Sequence, residues 1–286
     1  MAARAGGLNA AVRYGAKMPL KKDRYSHGHH ESVLRSHRWR NLENSAAYLL
    51  DRLAPGQELL DVGCGPGTIT LEFARRVAPG RVVGIDVSAD VLDTARALQA
   101  TTNDDGVSFV QESVYQLSFA DSSFDVVHAH QLLQHLADPV AALTEMRRVL
   151  RPGATLAVRE SDYGAFAWSP LDERLRRWME IYHQITRQNG AEADAGRHLV
   201  SWVRRAGFAS LEVTSSNWVF QRPEERQWWG GLWADRVRES EFARQGIEYG
   251  FTSAAELDDI ADAFHTWAAS DDGVFIVVHA EVLARR

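Results

Sequence analysis

The sequence predicts an α/β fold, a mostly parallel sheet between layers of helices, with two further strands late in the chain. Three observations predict it. Strand-like apolar runs alternate with helix-like periodicity over residues 55–162. The first run, Leu59-Leu60-Asp61-Val62, ends in a glycine-rich turn, Gly63-Cys64-Gly65-Pro66-Gly67. Two further strand-like runs, Leu211 to Phe220 and Val274 to Leu283, come after the alternation has stopped.

Taken in order, residues 1–24 show little apolar periodicity and read as a disordered basic arm. Residues 25–54 read as a helical segment, with helices over 31–38 and 42–53; Leu42, Ala46, Leu49, Leu50 and Leu53 keep a 3.6-residue period. Asp61, isolated among apolar residues, marks a parallel strand covered on both faces. Gly63, Gly65 and Gly67 let the chain turn sharply and let backbone approach a ligand without a Cβ in the way. Pro66 presets φ for the first turn of a helix running to Ala78.

Arg81 to Asp86 is the second strand, after which Ser88 caps a helix with Val91, Leu92, Ala95 and Leu98 on one face. Val107 to Gln111 and Asp125 to Ala129 are the third and fourth strands. Asp138 and Pro139 start a helix with Val140, Leu143, Met146 and Leu150 buried, and Thr155 to Glu160 is the fifth strand. Residues 163–286 then hold helices at 171–189 and 199–206, the two closing strands, and a helical insertion at 223–269 before the last strand.

A strand–glycine–helix joint is where open α/β sheets bind nucleoside-containing cofactors. The glycine spacing narrows the ligand. A dinucleotide fingerprint has glycines at positions one, three and six; here position six is Thr68, and no Gly-Lys-Ser/Thr follows to make a phosphate loop. Asp86, 23 residues after Gly63, stands where an acid grips ribose hydroxyls, two acceptor oxygens to two donors.

These residues, with Phe124-Asp125-Val126-Val127 and the Leu150-Arg151-Pro152-Gly153-Ala154 turn, resemble the class I S-adenosylmethionine-dependent methyltransferases. The likeness spans residues 25–160 and is closest to the ubiquinone/menaquinone-methyltransferase-like small-molecule branch. It implies a Rossmann-like three-layer sandwich whose mostly parallel seven-stranded sheet is closed by an antiparallel pair, S-adenosylmethionine as cofactor with S-adenosylhomocysteine as product, and residues 25–54 as a lid. It places Asp61, Gly63, Cys64, Gly65, Asp86, Val87, Ser113, Val114, His130 and Gln131 at the cofactor. Tyr25 would face the sulfonium, and His29 or His30 the carboxylate end; the same stretch also reads as a plain helix start with solvated histidines. Ser113 departs from the family, which usually has an aspartate accepting from the adenine amino group; its hydroxyl or Glu112 is the substitute. Cys64 reads as a small filler, not a nucleophile.

Methyl transfer from a sulfonium is a direct displacement, so the protein's main task is to align the acceptor. A second task is to take a proton from an oxygen, nitrogen or acidic carbon. His130, His135 and Glu160, with Asp162 behind, are the candidate bases, since an imidazole titrates near working pH. Each also reads as a hydrogen-bonding partner of cofactor or loop. Nine tryptophans suit a pocket for a small apolar or aromatic acceptor, or equally a core and a homodimer interface. The alternatives to methyl transfer are a methyltransferase-fold protein that binds a cofactor or partner without turnover, and a nicotinamide-dependent oxidoreductase.

Composition sets the limits. The chain is 45% hydrophobic and 24% charged, as in ordinary soluble domains. Residues 1–40 hold nine lysines and arginines against Asp23 and Glu31, which leaves an acidic body and argues against nucleic acid as substrate. The histidines at 27, 29 and 30 match no zinc spacing, so no metal is expected. One cysteine, no membrane-length apolar run and no signal-peptide pattern predict a cytoplasmic protein.

Overall fold

Eight strands form one sheet in the computed structural model, which describes residues 23–28, 30–102 and 104–286. The parallel part runs β3 (Val107–Gln111), β2 (Val82–Asp86), β1 (Leu59–Val62), β4 (Phe124–His130), β5 (Leu150–Ser161). The last strand, β8 (Val274–Arg285), lies antiparallel between β5 and β7 (Ser210–Phe220). β1 pairs with β2 on one side and β4 on the other, so the chain order reverses at β1. The crevice at the carboxyl ends of these strands is where such sheets bind ligands.

The expected parallel strands form because their apolar runs are buried on both faces. Leu59, Leu60 and Val62 are at most 1% exposed, and even Asp61 is 3% exposed. Helices α3 (Thr68–Val77) and α4 (Ala89–Thr102) follow β1 and β2, and α5 (Pro139–Val149) leads into β5. Asp138 caps α5, its carboxylate accepting from the Ala141 amide at 2.9 Å.

Four features differ from the sequence reading. The helix expected over 42–53 breaks into α2 (Leu42–Ser45) and a 3₁₀ turn over Ala47–Arg52, because Ala46 leaves the helical region at φ −140°. Asn41 and Asn44 close a capping box around α2, and such side chains compete with helix backbone bonds. An eighth strand, β6 (Ala167–Ser169), pairs with Val274–Ile276 beyond the end of β5. β5 starts at Leu150, and β4 extends through His130, which makes that histidine part of the strand.

The insertion packs with α6 (Glu173–Asn189) and the ends of β7 and β8 around an aromatic core. α6, α8 (Pro223–Glu239) and α10 (Ala254–Ala269) bury Trp178, Trp233 and Trp267 to 2% exposure or less. Trp178 and Trp233 meet edge to face with ring centroids 4.6 Å apart. α1 (Glu31–Arg38) packs on α8, with Arg35 paired to Asp235. No helix among the described residues is long and apolar enough to cross a membrane.

Candidate active site

The glycine turn is held open by left-handed backbone, with φ of 72° at Gly63, 55° at Gly65 and 81° at Gly67. The amides of Gly63 and Cys64 donate to the Ile85 carbonyl at 2.8 and 2.9 Å, and Gly65 N–H donates to Asp86 Oδ2 at 3.2 Å. Asp86 Oδ1 accepts from Ser88 N–H at 3.0 Å. Each oxygen therefore takes one backbone amide and keeps a second acceptor site. A Cβ at Gly67 would sit 2.8 Å from the Phe109 ring, so this glycine serves packing; at Gly65 the nearest atom is His37 Nδ1 at 3.8 Å.

This turn floors a cleft that gathers most of the expected residues: Tyr25, Asp61, Gly63, Cys64, Gly65, Asp86, Val87, Ser113, Val114, His130, Gln131 and His135 all line it. Asp61 has both oxygens engaged, accepting from Thr70 Oγ1 at 2.6 Å and lying 2.8 Å from His128 Nδ1. Val87 is 66% exposed and presents an apolar surface to the cleft. Glu112 is tied to the Ser118 hydroxyl and amide, and the Ser113 hydroxyl accepts from Tyr115 N–H at 3.4 Å, which leaves its own O–H to donate. Burial pushes the Cys64 thiol well up, which suits a filler.

At the end of β4, Gln131 takes φ +50°, a left-handed conformation that costs a non-glycine residue about 1 kcal/mol or more. Its side chain bridges two elements: Oε1 accepts from Arg40 Nη2 at 2.6 Å, and Nε2 lies 2.8 Å from His279 Nε2. His130 is 6% exposed, and neither ring nitrogen has a partner among the described residues. Burial, with Arg40 and Arg159 nearby, holds it well below the ordinary imidazole range. His135 meets Tyr25 edge to face at 4.6 Å, leaves Nδ1 without a partner among the described residues, and is pushed down to about 3 by burial.

Three expected residues stand elsewhere. Glu160 is buried under the turn after β4 and accepts from the amides of Leu132, Leu133 and Gln134 at 2.9, 2.6 and 3.4 Å. It does not line the cleft, and burial raises it to about 8. Asp162 behind it is bonded to Arg197 through both the amide and the guanidinium. His30 is the N-cap of α1, its Nδ1 accepting from Ser32 N–H at 3.3 Å, with Nε2 3.4 Å from Glu239. Its ring serves the helix terminus, away from the cleft. His29 and the arm at 1–22 lie outside the described residues.

Sequence reasoning missed the residues that close the cleft from the N-terminal side. Asp23 accepts from Tyr115 O–H at 3.2 Å and Ala137 N–H at 2.8 Å, tying the start of the described chain across the β3 and β4 loops. Arg40 and His37 come from the end of α1 and the turn after it. It also missed an inner cavity behind the cleft, which shares Tyr25, His37, Arg40, Gln131 and His135 with it and reaches Arg236 on α8. Only an arginine inside the tryptophan-rich helix, Arg236, hinted at that cavity.

The sequence model of a methyltransferase domain matches residues 53–211. An uncharacterized methyltransferase of Schizosaccharomyces pombe is 31% identical over 270 residues, 92% of this chain and 96% of its own. The chain belongs to the methyltransferase domain family. A 2-methyl-6-phytyl-1,4-hydroquinone methyltransferase of Synechocystis is 29% identical over 216 residues, 74% of this chain and 64% of its own. Among solved structures, a putative methyltransferase from Bacillus halodurans superposes with a TM-score of 0.55 at 19% identity, covering 84% of this chain and 97% of its own. By family and fold this is a class I methyltransferase of the quinone-methyltransferase-like branch, and S-adenosylmethionine is the cofactor that this family uses.

Proposed function

We propose that this methyltransferase moves a methyl group from S-adenosylmethionine to a small aromatic acceptor by direct displacement. One observation carries the reading: the cleft at the β1/β4 reversal adjoins, across the shared Tyr25 and His135, a small inner cavity lined by aromatic side chains. The cleft's residues fit the cofactor. Asp86 has acceptor capacity left for two ribose hydroxyls, Val87 and Val114 offer apolar surface to the adenine, and Ser113 lines the cleft at its edge. Gly65 leaves its side of the turn clear of any Cβ. When bound, the cofactor supplies a methyl group already activated for displacement.

The remaining work falls to the chain. Trp218, Trp229, Trp233 and Tyr163 wall the inner cavity and keep water from the acceptor. His135 lines both spaces with Nδ1 open and, held neutral, is our choice for the group that accepts a hydrogen bond from the acceptor's O–H and orients its oxygen. The hydroquinone specificity in the name of the Synechocystis relative supports a ring acceptor.

Turnover can be followed as S-adenosylhomocysteine released with a panel of phenols and hydroquinones. His135→Asn is expected to lower kcat by about 10²-fold without weakening cofactor binding. Because His135 is pushed down to about 3, it is neutral throughout the ordinary range and kcat should not fall between pH 8 and 5 on its account. An unchanged kcat in His135→Asn would remove it from the mechanism. Absence of turnover with every phenol would argue against this acceptor class.

A further inference from the structure

The inner cavity holds two cations with no counter-charge. Arg236 is 4% exposed, and Arg40 sits at the junction with the cofactor cleft. Neither forms an ion pair among the described residues, and each leaves its Nε without a hydrogen-bond partner there. Two nearby arginines do have carboxylate partners: Arg35 on the same N-terminal segment meets Asp235, and the buried Arg159 meets Glu281 at 3.1 Å.

A structural role accounts for only part of Arg236. Its Nη2 donates to Ser32 O at 3.1 Å and Ser36 Oγ at 3.0 Å, which ties α1 to α8, and its guanidinium lies 4.4 Å from the Trp233 ring centroid. Two bonds to neutral acceptors and an aromatic face, like the Trp218 ring 5.6 Å from the Arg40 guanidinium, give each charge some support but no anion. Arg40 likewise donates to the neutral Gln131. Glu160 is the carboxyl that feels Arg40, and it is occupied by three amides. Burying a charge without a partner is strongly unfavourable, so the buried Arg236, with the half-buried Arg40 beside it, points to an anion that is their partner.

We infer that the inner cavity is an anion subsite, in which Arg236 and Arg40 hold the carboxylate of an aromatic acid that is the methyl acceptor. The inference rests on the methyl-transfer reading above and names its substrate class. The size agrees. The cavity is about 30 Å³, room for about two water-sized groups, as a carboxylate requires. A carboxylate offers two acceptor oxygens to guanidinium N–H groups in charge-assisted bonds. Trp218, Trp229 and Tyr163 complete the lining of this small space, and the ring would extend past His135 into the larger cofactor cleft.

The test is calorimetry on the full chain saturated with S-adenosylhomocysteine, using benzoate, 2-hydroxybenzoate, 4-hydroxybenzoate and cinnamate against their neutral amides. At least one acid should bind, at least tenfold more tightly than its amide. Arg236→Gln, which keeps a donor for Ser32 or Ser36, should abolish that preference while S-adenosylhomocysteine still binds. If the variant does not fold, the acid–amide comparison in the unmodified protein decides alone. Equal binding of acids and amides, binding of neither, or a preference that survives in Arg236→Gln overturns the subsite. Those outcomes leave methyl transfer standing as long as S-adenosylhomocysteine binds; failure of that binding in the unmodified protein would instead overturn the cofactor reading.

Discussion

Asp86 concentrates more of the site than any other side chain. It organises the turn by accepting from Gly65 and Ser88, and it retains acceptor sites toward the cleft. Asp86→Ala should cost on the order of 2–3 kcal/mol of cofactor affinity, since two hydroxyl donors would lose a charged acceptor. Calorimetric affinity equal to the unmodified protein would sink the ribose assignment. This residue was legible because its distance from Gly63 is fixed by one βαβ unit. Glu160 was not: position at a strand end cannot tell a carboxyl aimed at ligand from one turned onto three amides. Arg40 and Arg236 escaped for a related reason. They lie 196 positions apart in the chain, and only the packing of α1 on α8 brings both to one cavity.

At the scale of elements, the parallel strands were readable because apolar runs were punctuated by glycine, proline and capping residues at each end. The break at Ala46 was not, since the apolar period runs on through Leu49 and Leu53 while the Asn41–Asn44 box and the backbone at Ala46 end the helix. β6 is three residues long and owes its existence to the free outer half of β8, a tertiary fact that no local pattern encodes. The insertion was legible as helical. That its tryptophans form a core with each other, and that Trp229 and Trp233 also wall a cavity, depends on how α6, α8 and α10 pack.

Across the whole molecule, burial of imidazoles sets the pH response. His27, His130 and His279 are held well below 6.5 and His135 at about 3, each chiefly by burial. The unfolded chain takes up protons at these sites near 6.5 while the folded chain does not. Their stabilisation is therefore complete above about 6.5 and is lost as pH falls below it. Glu160 acts with the opposite sign. Raised from 4.5 to about 8, it favours the folded state at low pH and loses that contribution as pH rises through this window. Melting temperatures measured from pH 4.5 to 8 should fall steeply below 6.5, with a shallower decline toward 8 that Glu160→Gln flattens. A melting temperature unchanged between pH 7 and 5 would show that these histidines are not held neutral.

The central claim is that the β1/β4 cleft binds an adenosine cofactor bearing a sulfonium amino-acid tail. Calorimetric titration of the purified chain with S-adenosylmethionine, S-adenosylhomocysteine and NAD tests it most directly. Micromolar binding of both sulfur compounds and none of NAD is the predicted result. Binding of NAD alone, or of none of the three, would contradict it and make the glycine turn a feature of packing.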